Sequence, residues 1–233
     1  MPLTRVSLTG PDDHTSVADL VRLAERYPFV EWAILYSPKR EGTGRYPSAD
    51  WRRRFEEACQ DQPIQRAIHV CGQGVPAFAE HGARAVPIAA YQRVQWNVNL
   101  SRWERSDVEL FLQRLAVLHT PTGLPQRSIL QHNKNNEPFI HELPHLVDVL
   151  YDASGGHGKV LDTILGPWYT RFTGYAGGLG PDNVVAVVQR IQEANPLPFY
   201  MDMESSLRTD DRFDLDKAGF VLKALAPFVV PAP

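Results

Sequence analysis

Short apolar runs alternate with amphipathic ones from one end of the chain to the other, and turn residues punctuate them. Arg5-Val-Ser-Leu-Thr9 predicts a strand that ends at Gly10-Pro-Asp-Asp, and Ser16 to Arg26 then shows helical periodicity. Trp32–Tyr36 predicts the second strand, and a loop from Ser37 to Ser48 leads into a helix over 49–60. Ala67–Cys71 and Val94–Val98 are the third and fourth strands, with a short, broken helix between Pro76 and Ala90. Ser106 to Leu118 is strongly amphipathic. Ile129–Asn133 predicts the fifth strand, Phe139 to His145 a short helix, and Val147–Asp152 the sixth strand. Thr170–Ala176 is the seventh strand, Val184–Ile191 a helix, Phe199–Met203 the eighth strand, and Asp216–Ala226 the last helix, with a tail from Pro227. Eight strand–helix units without a linker predict a single-domain (β/α)8 TIM barrel over residues 1–233. An open doubly wound sheet usually has fewer strands at this length.

Alternation within the strands is informative because every second residue of a barrel strand faces the lumen. One parity gathers Ser7, Thr9, His69, Cys71, Gln95, Asn97, Asn99, Gln131, Asn133, Asp148, Asp152, Asp202 and Glu204. The opposite parity carries Val6, Leu8, Ile68, Val70, Val94, Trp96, Val98, Val147, Val149, Met201 and Met203, suited to packing under helices. Polar groups on one face of nearly every strand are costly to bury unless they serve one another or a ligand. This predicts a polar lumen with its site at the C-terminal strand ends. The plain alternative is polar groups satisfied by water.

Composition narrows the class. In 233 residues, 43% hydrophobic and 22% charged content is that of a globular protein with a large core. The net charge of -3 and the scattered basic residues argue against a nucleic-acid surface. Cys59 and Cys71 are too few for a disulfide framework and predict a reducing, cytoplasmic setting. Residues 1–15 lack the apolar core of a signal peptide, and no stretch approaches the length of a membrane span.

Two stretches near the C-terminus carry candidate chemistry. Gly174-Tyr-Ala-Gly-Gly-Leu-Gly-Pro-Asp-Asn183 feeds a helix, and its glycines allow close backbone approach to a ligand while free amides at the helix start attract anions. Asp202-Met-Glu-Ser-Ser-Leu-Arg-Thr209 repeats the device with Ser205 and Ser206. Each alone is also an ordinary turn before a capped helix. In tandem they predict a phosphate held between the last two strand ends, where TIM barrels commonly place one.

The same segments resemble a known family. Asp152-Ala-Ser-Gly-Gly-His-Gly-Lys-Val-Leu-Asp162 is similar to the Leu-Leu-Asp…Gly-Gly-Thr-Gly-Lys-Thr-Phe-Asp signature of phosphoribosylanthranilate isomerase, the tryptophan-pathway TIM barrel. Ala176–Val184 looks like that family's Ala-Gly-Gly-Leu-x-Pro-Glu-Asn-Val phosphate loop, and Asp202–Thr209 resembles its Asp-Val-Ser-Ser-Gly-Val-Glu-Thr. Phe213-Asp-Leu-Asp-Lys217, Val6-Ser-Leu-Thr-Gly10 and the Ser37-Pro-Lys-Arg to Arg45-Tyr-Pro-Ser loop fall where the family has related motifs. The resemblance implies an Amadori rearrangement, with a carboxylic acid protonating the furanose oxygen and a cysteine thiolate abstracting the C2 proton. Asp152 falls on the acid's position. Thr9 stands where the base belongs, and its hydroxyl cannot take up a proton at neutral pH. Ser7 replaces the family's lysine, and a carboxylate at Glu204 opposes phosphate unless Lys217, Arg208 or Arg45 neutralises it.

The candidate catalytic residues are therefore Asp152, Cys71 and Thr9. Asp152 reads as a general acid or as a strand-end carboxylate capping the Ser154 loop. Cys71 reads as a substitute base or as inert packing. The candidate phosphate contacts are Gly177, Gly178, Asn183, Ser205, Ser206, Arg45 and Gly156. His157 reads as a ligand contact or a loop histidine, and Lys134 beside His132 as a solvated loop rather than a Schiff-base lysine. A lumenal metal on His69, Asp152, Asp202, Glu204 and His132 lacks any short ligand spacing, so neither metal nor cofactor is expected. The expected function is an isomerase or lyase acting on a small phosphorylated compound, with no nucleic-acid or membrane partner; self-association into a homo-oligomer is compatible with it. The alternatives are a ligand-binding barrel without catalysis and a true phosphoribosylanthranilate isomerase with a displaced base.

Overall fold

Strands flanked by helices on the outside and by side chains on the inside are buried on both faces, so they carry few exposed positions. The computed structural model describes residues 3–119, 123, 126–152, 164–168 and 170–230. Eight parallel strands close into a barrel in chain order: β1 (Leu3–Thr9), β2 (Val30–Tyr36), β3 (Gln65–Cys71), β4 (Arg93–Asn97), β5 (Arg127–His132), β6 (Val147–Tyr151), β7 (Thr173–Tyr175) and β8 (Phe199–Met203). The last ladder sets Ser7 of β1 beside Asp202 of β8 and completes the ring. The expected (β/α)8 barrel is the observed one.

Six α-helices surround it among the described residues: α1 (Val17–Arg26), α2 (Ala49–Ala58), α3 (Gly74–His81), α4 (Arg105–Ala116), α5 (Val184–Ala194) and α6 (Leu215–Leu225). Side-chain caps set where several begin. Ser16 accepts from the Asp19 amide, Ser48 from the Trp51 amide, and Asp214 from the amides of Asp216 and Lys217. The outward parity of the strands (Val6, Leu8, Trp32, Ile68, Val70, Trp96 and Met201 among them) joins the inner helix faces in one large core. A second, smaller cluster of Ile129, Leu150, Ala176 and Tyr200 lies on the inward parity. There the Tyr200 ring lies over Gly174 so closely that an added Cβ would stand 2.1 Å from it, so glycine is required by contact.

Several boundaries differ from expectation. The helix after β3 starts at Gly74 and ends at His81, because Pro76 fits its first turn and Gly82 at φ +76° ends it. Between β5 and β6 the chain forms a 3-10 helix, Glu137–Glu142, in place of an α-helix: Pro138 and Pro144 leave too short a run between them. β7 is three residues, not seven. The described part of the tail, residues 227–230, packs back against β1. Val230 donates its amide to the Leu3 carbonyl and Val229 bridges Leu3, sealing the start of β1. A short hairpin after β8, β9 (Arg208–Thr209) with β10 (Arg212–Phe213), went unpredicted; Asp210 and Asp211 turn it at φ +50° and +55°.

Candidate active site

At the N-terminal end of the barrel the lumen holds a buried ion network. Glu31 accepts from Ser7 Oγ at 2.5 Å, from Arg5 at 3.1 Å and from Arg93 at 2.9 Å. Arg93 also reaches Asp148 at 3.0 Å, with the Tyr200 ring 4.1 Å from its guanidinium, and Arg127 closes on the other Asp148 oxygen. The guanidiniums hold Glu31 below the usual carboxylate range in spite of its burial, and Glu31 in turn raises the pKa of Arg93. This floor fills the N-terminal end of the lumen with arginines paired to Glu31 and Asp148.

The opposite end opens into a cavity of about 690 Å³. Its walls come from the C-terminal ends of five neighbouring strands. The end of β4 gives Gln95, Asn97, Asn99 and Arg102; that of β5 gives Gln131, Asn133 and Asn135; Asp152 follows β6; β7 and β8 give the Gly177–Gly178 loop with Asp202, Glu204, Ser205 and Ser206. Gln131 Nε2 donates to Asp152 Oδ2 at 3.2 Å. The buried Oε1 of Gln95 has no hydrogen-bond partner among the described residues. Among the described residues no group of three or more His, Cys, Asp or Glu is placed to hold a metal ion, and His132 packs instead between Tyr151 and Trp168.

The predicted residues separate into those that border this cavity and those behind it. Asp152, Gly177, Gly178, Ser205 and Ser206 border it. Gly177 and Gly178 take φ of +101° and +61°, where other residues strain, and Ser206 Oγ donates to the Leu179 carbonyl. Asn183 is occupied in bracing the loop: it accepts from the Gly180 amide at 2.9 Å and donates to the Gly178 carbonyl at 2.8 Å. Arg45 crosses from the β2–α2 loop and meets Glu204 at 2.6 Å. Arg45 is thus the neutralising cation, because Arg208 is turned to the Gly10 carbonyl and Asp12, and Lys217 to the Arg208 carbonyl. Cys71 stands behind Asn97, which donates to its sulfur at 3.0 Å, and burial pushes the thiol up to about 11. Gly156 and His157 lie outside the described residues.

Thr9 donates its hydroxyl to Asp202 Oδ1 at 2.6 Å. Burial, and then Glu204, Glu31 and Asp152 as like charges, push the Asp202 carboxyl up from 3.8 to about 7, against the opposing pull of Thr9. Sequence reasoning placed Asp202 in the lumen and weighed it only as a metal ligand, since its raised proton affinity depends on burial and on neighbours from other strands.

No family model matches the chain, and no curated protein matches it in sequence. Solved structures do. The phosphoribosylanthranilate isomerase of Thermotoga maritima superposes over 97% of this chain and 100% of its own, with a TM-score of 0.64 at 18% identity. A phosphoribosylanthranilate isomerase in complex with reduced 1-(o-carboxyphenylamino)-1-deoxyribulose 5-phosphate covers the same shares at a TM-score of 0.59 and 17% identity. The likeness is one of fold. A truncated 3-deoxy-D-arabino-heptulosonate 7-phosphate synthase from Thermotoga maritima shares it more distantly, with a TM-score of 0.57 at 7% identity over 97% of this chain and 86% of its own. Among the described residues no helix is long and apolar enough to cross a membrane.

Proposed function

We propose that this chain is an isomerase- or lyase-type enzyme acting on a small phosphorylated, sugar-like compound. One observation carries the reading. A single cavity at the C-terminal strand ends brings the glycine loop and the Ser205–Ser206 turn together with the carboxylates of Asp152 and Asp202. Gly177, Gly178, Ser205 and Ser206 would hold the phosphate, with Arg45 cancelling the charge of Glu204. Asp152, steadied by Gln131, would deliver a proton to an oxygen of the ligand. The unpartnered Oε1 of Gln95 fits a hydroxyl donor on that ligand. The enzymes of like fold include one whose bound molecule is a ribulose 5-phosphate derivative, which supports the class of ligand. The free Cys59 and Cys71 fit a reducing cytoplasm.

Thermal shift against inorganic phosphate, phosphoribosyl compounds and triose phosphates tests this. A ligand at about 100 Kd adds near 3 kcal/mol, several degrees for a barrel of this size. Stabilisation by phosphorylated sugars that Ser205→Asp abolishes supports the cradle. No shift with any phosphate sinks the reading.

A further inference from the structure

Moving a hydrogen between neighbouring carbons needs a proton acceptor as well as a donor, and Asp152 supplies one of the two. Among the described residues the candidates for the other are few. Thr9 donates its hydroxyl to Asp202, and an alcohol takes up no proton at neutral pH. Cys71 stays a neutral thiol at neutral pH, and His69, pushed down to about 3 by burial in the lumen, is a poor base. Glu204 is paired with Arg45. Asp202 remains: it borders the cavity and is nearly buried, and the Thr9 hydroxyl fixes one of its oxygens.

Resting on the function proposed above, we propose that Asp202 is the base of this site, its carboxylate oriented by Thr9 to take the carbon-bound proton of the ligand. For an aldose phosphate the step balances as follows. Asp152 protonates the C1 carbonyl oxygen while Asp202 takes the C2 hydrogen as a proton. The C2–H electron pair becomes the C1=C2 bond, and the C1=O π pair passes to the oxygen. The enediol then gives its C2 hydroxyl proton back to Asp152 and receives at C1 the proton held by Asp202. C2 is oxidised and C1 reduced within one molecule, so no outside electron acceptor is needed. The charged and titratable groups around Asp202 suit the task. Tyr200 comes from its own strand and Glu204 from just beyond it, and β2 and the end of β6 give Glu31 and Asp152. β1 gives the uncharged Thr9 and Ser7. Burial, and after it the carboxylates, keep its proton affinity high, and Thr9 keeps the anion available.

The test uses ribose 5-phosphate, ribulose 5-phosphate and triose phosphates in D2O, with binding read by thermal shift and carbon-bound deuterium by NMR. A bound sugar should gain deuterium next to its carbonyl. Asp202→Asn should keep the thermal shift and lose exchange by about 10²–10⁴-fold. Exchange should rise with pH through about 7. Thr9→Val should move that rise to higher pH, and Thr9→Ser should restore it. Undiminished exchange in Asp202→Asn, or a sugar that binds the wild type without exchanging, would overturn the assignment. Failure of every phosphate to bind would instead overturn the function on which it rests.

Discussion

Replacing Asp202 by asparagine should stabilise the fold, and increasingly so as pH rises. In the folded protein the carboxyl titrates at about 7, against 3.8 for an ordinary aspartate. Below about pH 4 both folded and unfolded chains hold the proton, and the group contributes nothing to pH dependence. Between these values the folded chain keeps a proton that the unfolded chain releases, so stability falls with rising pH. The full cost is reached above about pH 7. At about 1.4 kcal/mol per tenfold change in ionisation constant, it is on the order of 4 kcal/mol. Asparagine has the same shape, never ionises, and can still accept from Thr9 at its Oδ1. Urea unfolding of both proteins at matched pH values isolates the term, because the other titrating groups are common to the pair. Wild type and variant should nearly coincide near pH 4.5 and separate by several kcal/mol at pH 8.5, the variant being the more stable. A constant gap across pH, or a wild type that gains on the variant as pH rises, would refute the reasoning. The second outcome is what a salt-bridged aspartate with a depressed pKa would give.

Other expectations follow from the lumen and its rim. Arg93→Met leaves Glu31 and Asp148 short of their shared buried partner and should cost about 3–5 kcal/mol in urea unfolding; an unchanged midpoint would contradict the network. Gly174→Ala drives a methyl into the Tyr200 ring and should cost about 1–3 kcal/mol, with part of the loss recovered by Tyr200→Leu. Arg45→Ala exposes the Glu204 charge beside Ser205 and should weaken phosphate binding roughly tenfold in titration calorimetry. Adding Glu204→Gln should restore it, and equal affinity in all three proteins would remove Arg45 from the cradle.

The barrel was legible because each strand is a short apolar run with its own turn signals, and because its two faces differ. The inward parity read from Gln95, Asn97, Gln131, Asp152, Asp202 and Glu204 is the one that borders the cavity. Less regular segments were not legible. The proline-flanked run before β6 winds too tightly for an α-helix, and the Asp210–Asp211 turn lacks the glycine or asparagine that marks most hairpins. Asn183 reads as a ligand contact by position in a motif, yet its side chain is occupied by the loop's own amide and carbonyl groups.

What the sequence by itself determined is the periodic part: strand order, inward and outward faces, and the glycine and serine turns beside the last two strands. These are local properties, set by alternation and by the few residues able to turn a chain. What tertiary structure decided is electrostatic. Arg45 meets Glu204 across 159 positions, and Thr9 meets Asp202 across 193. The charge floor joins Arg5, Glu31, Arg93, Arg127 and Asp148 from five strands. Whether a carboxylate is a paired anion or a base near neutrality depends on how much water it loses and which charges surround it. Both are fixed only when the barrel closes and brings distant strands within reach of one another.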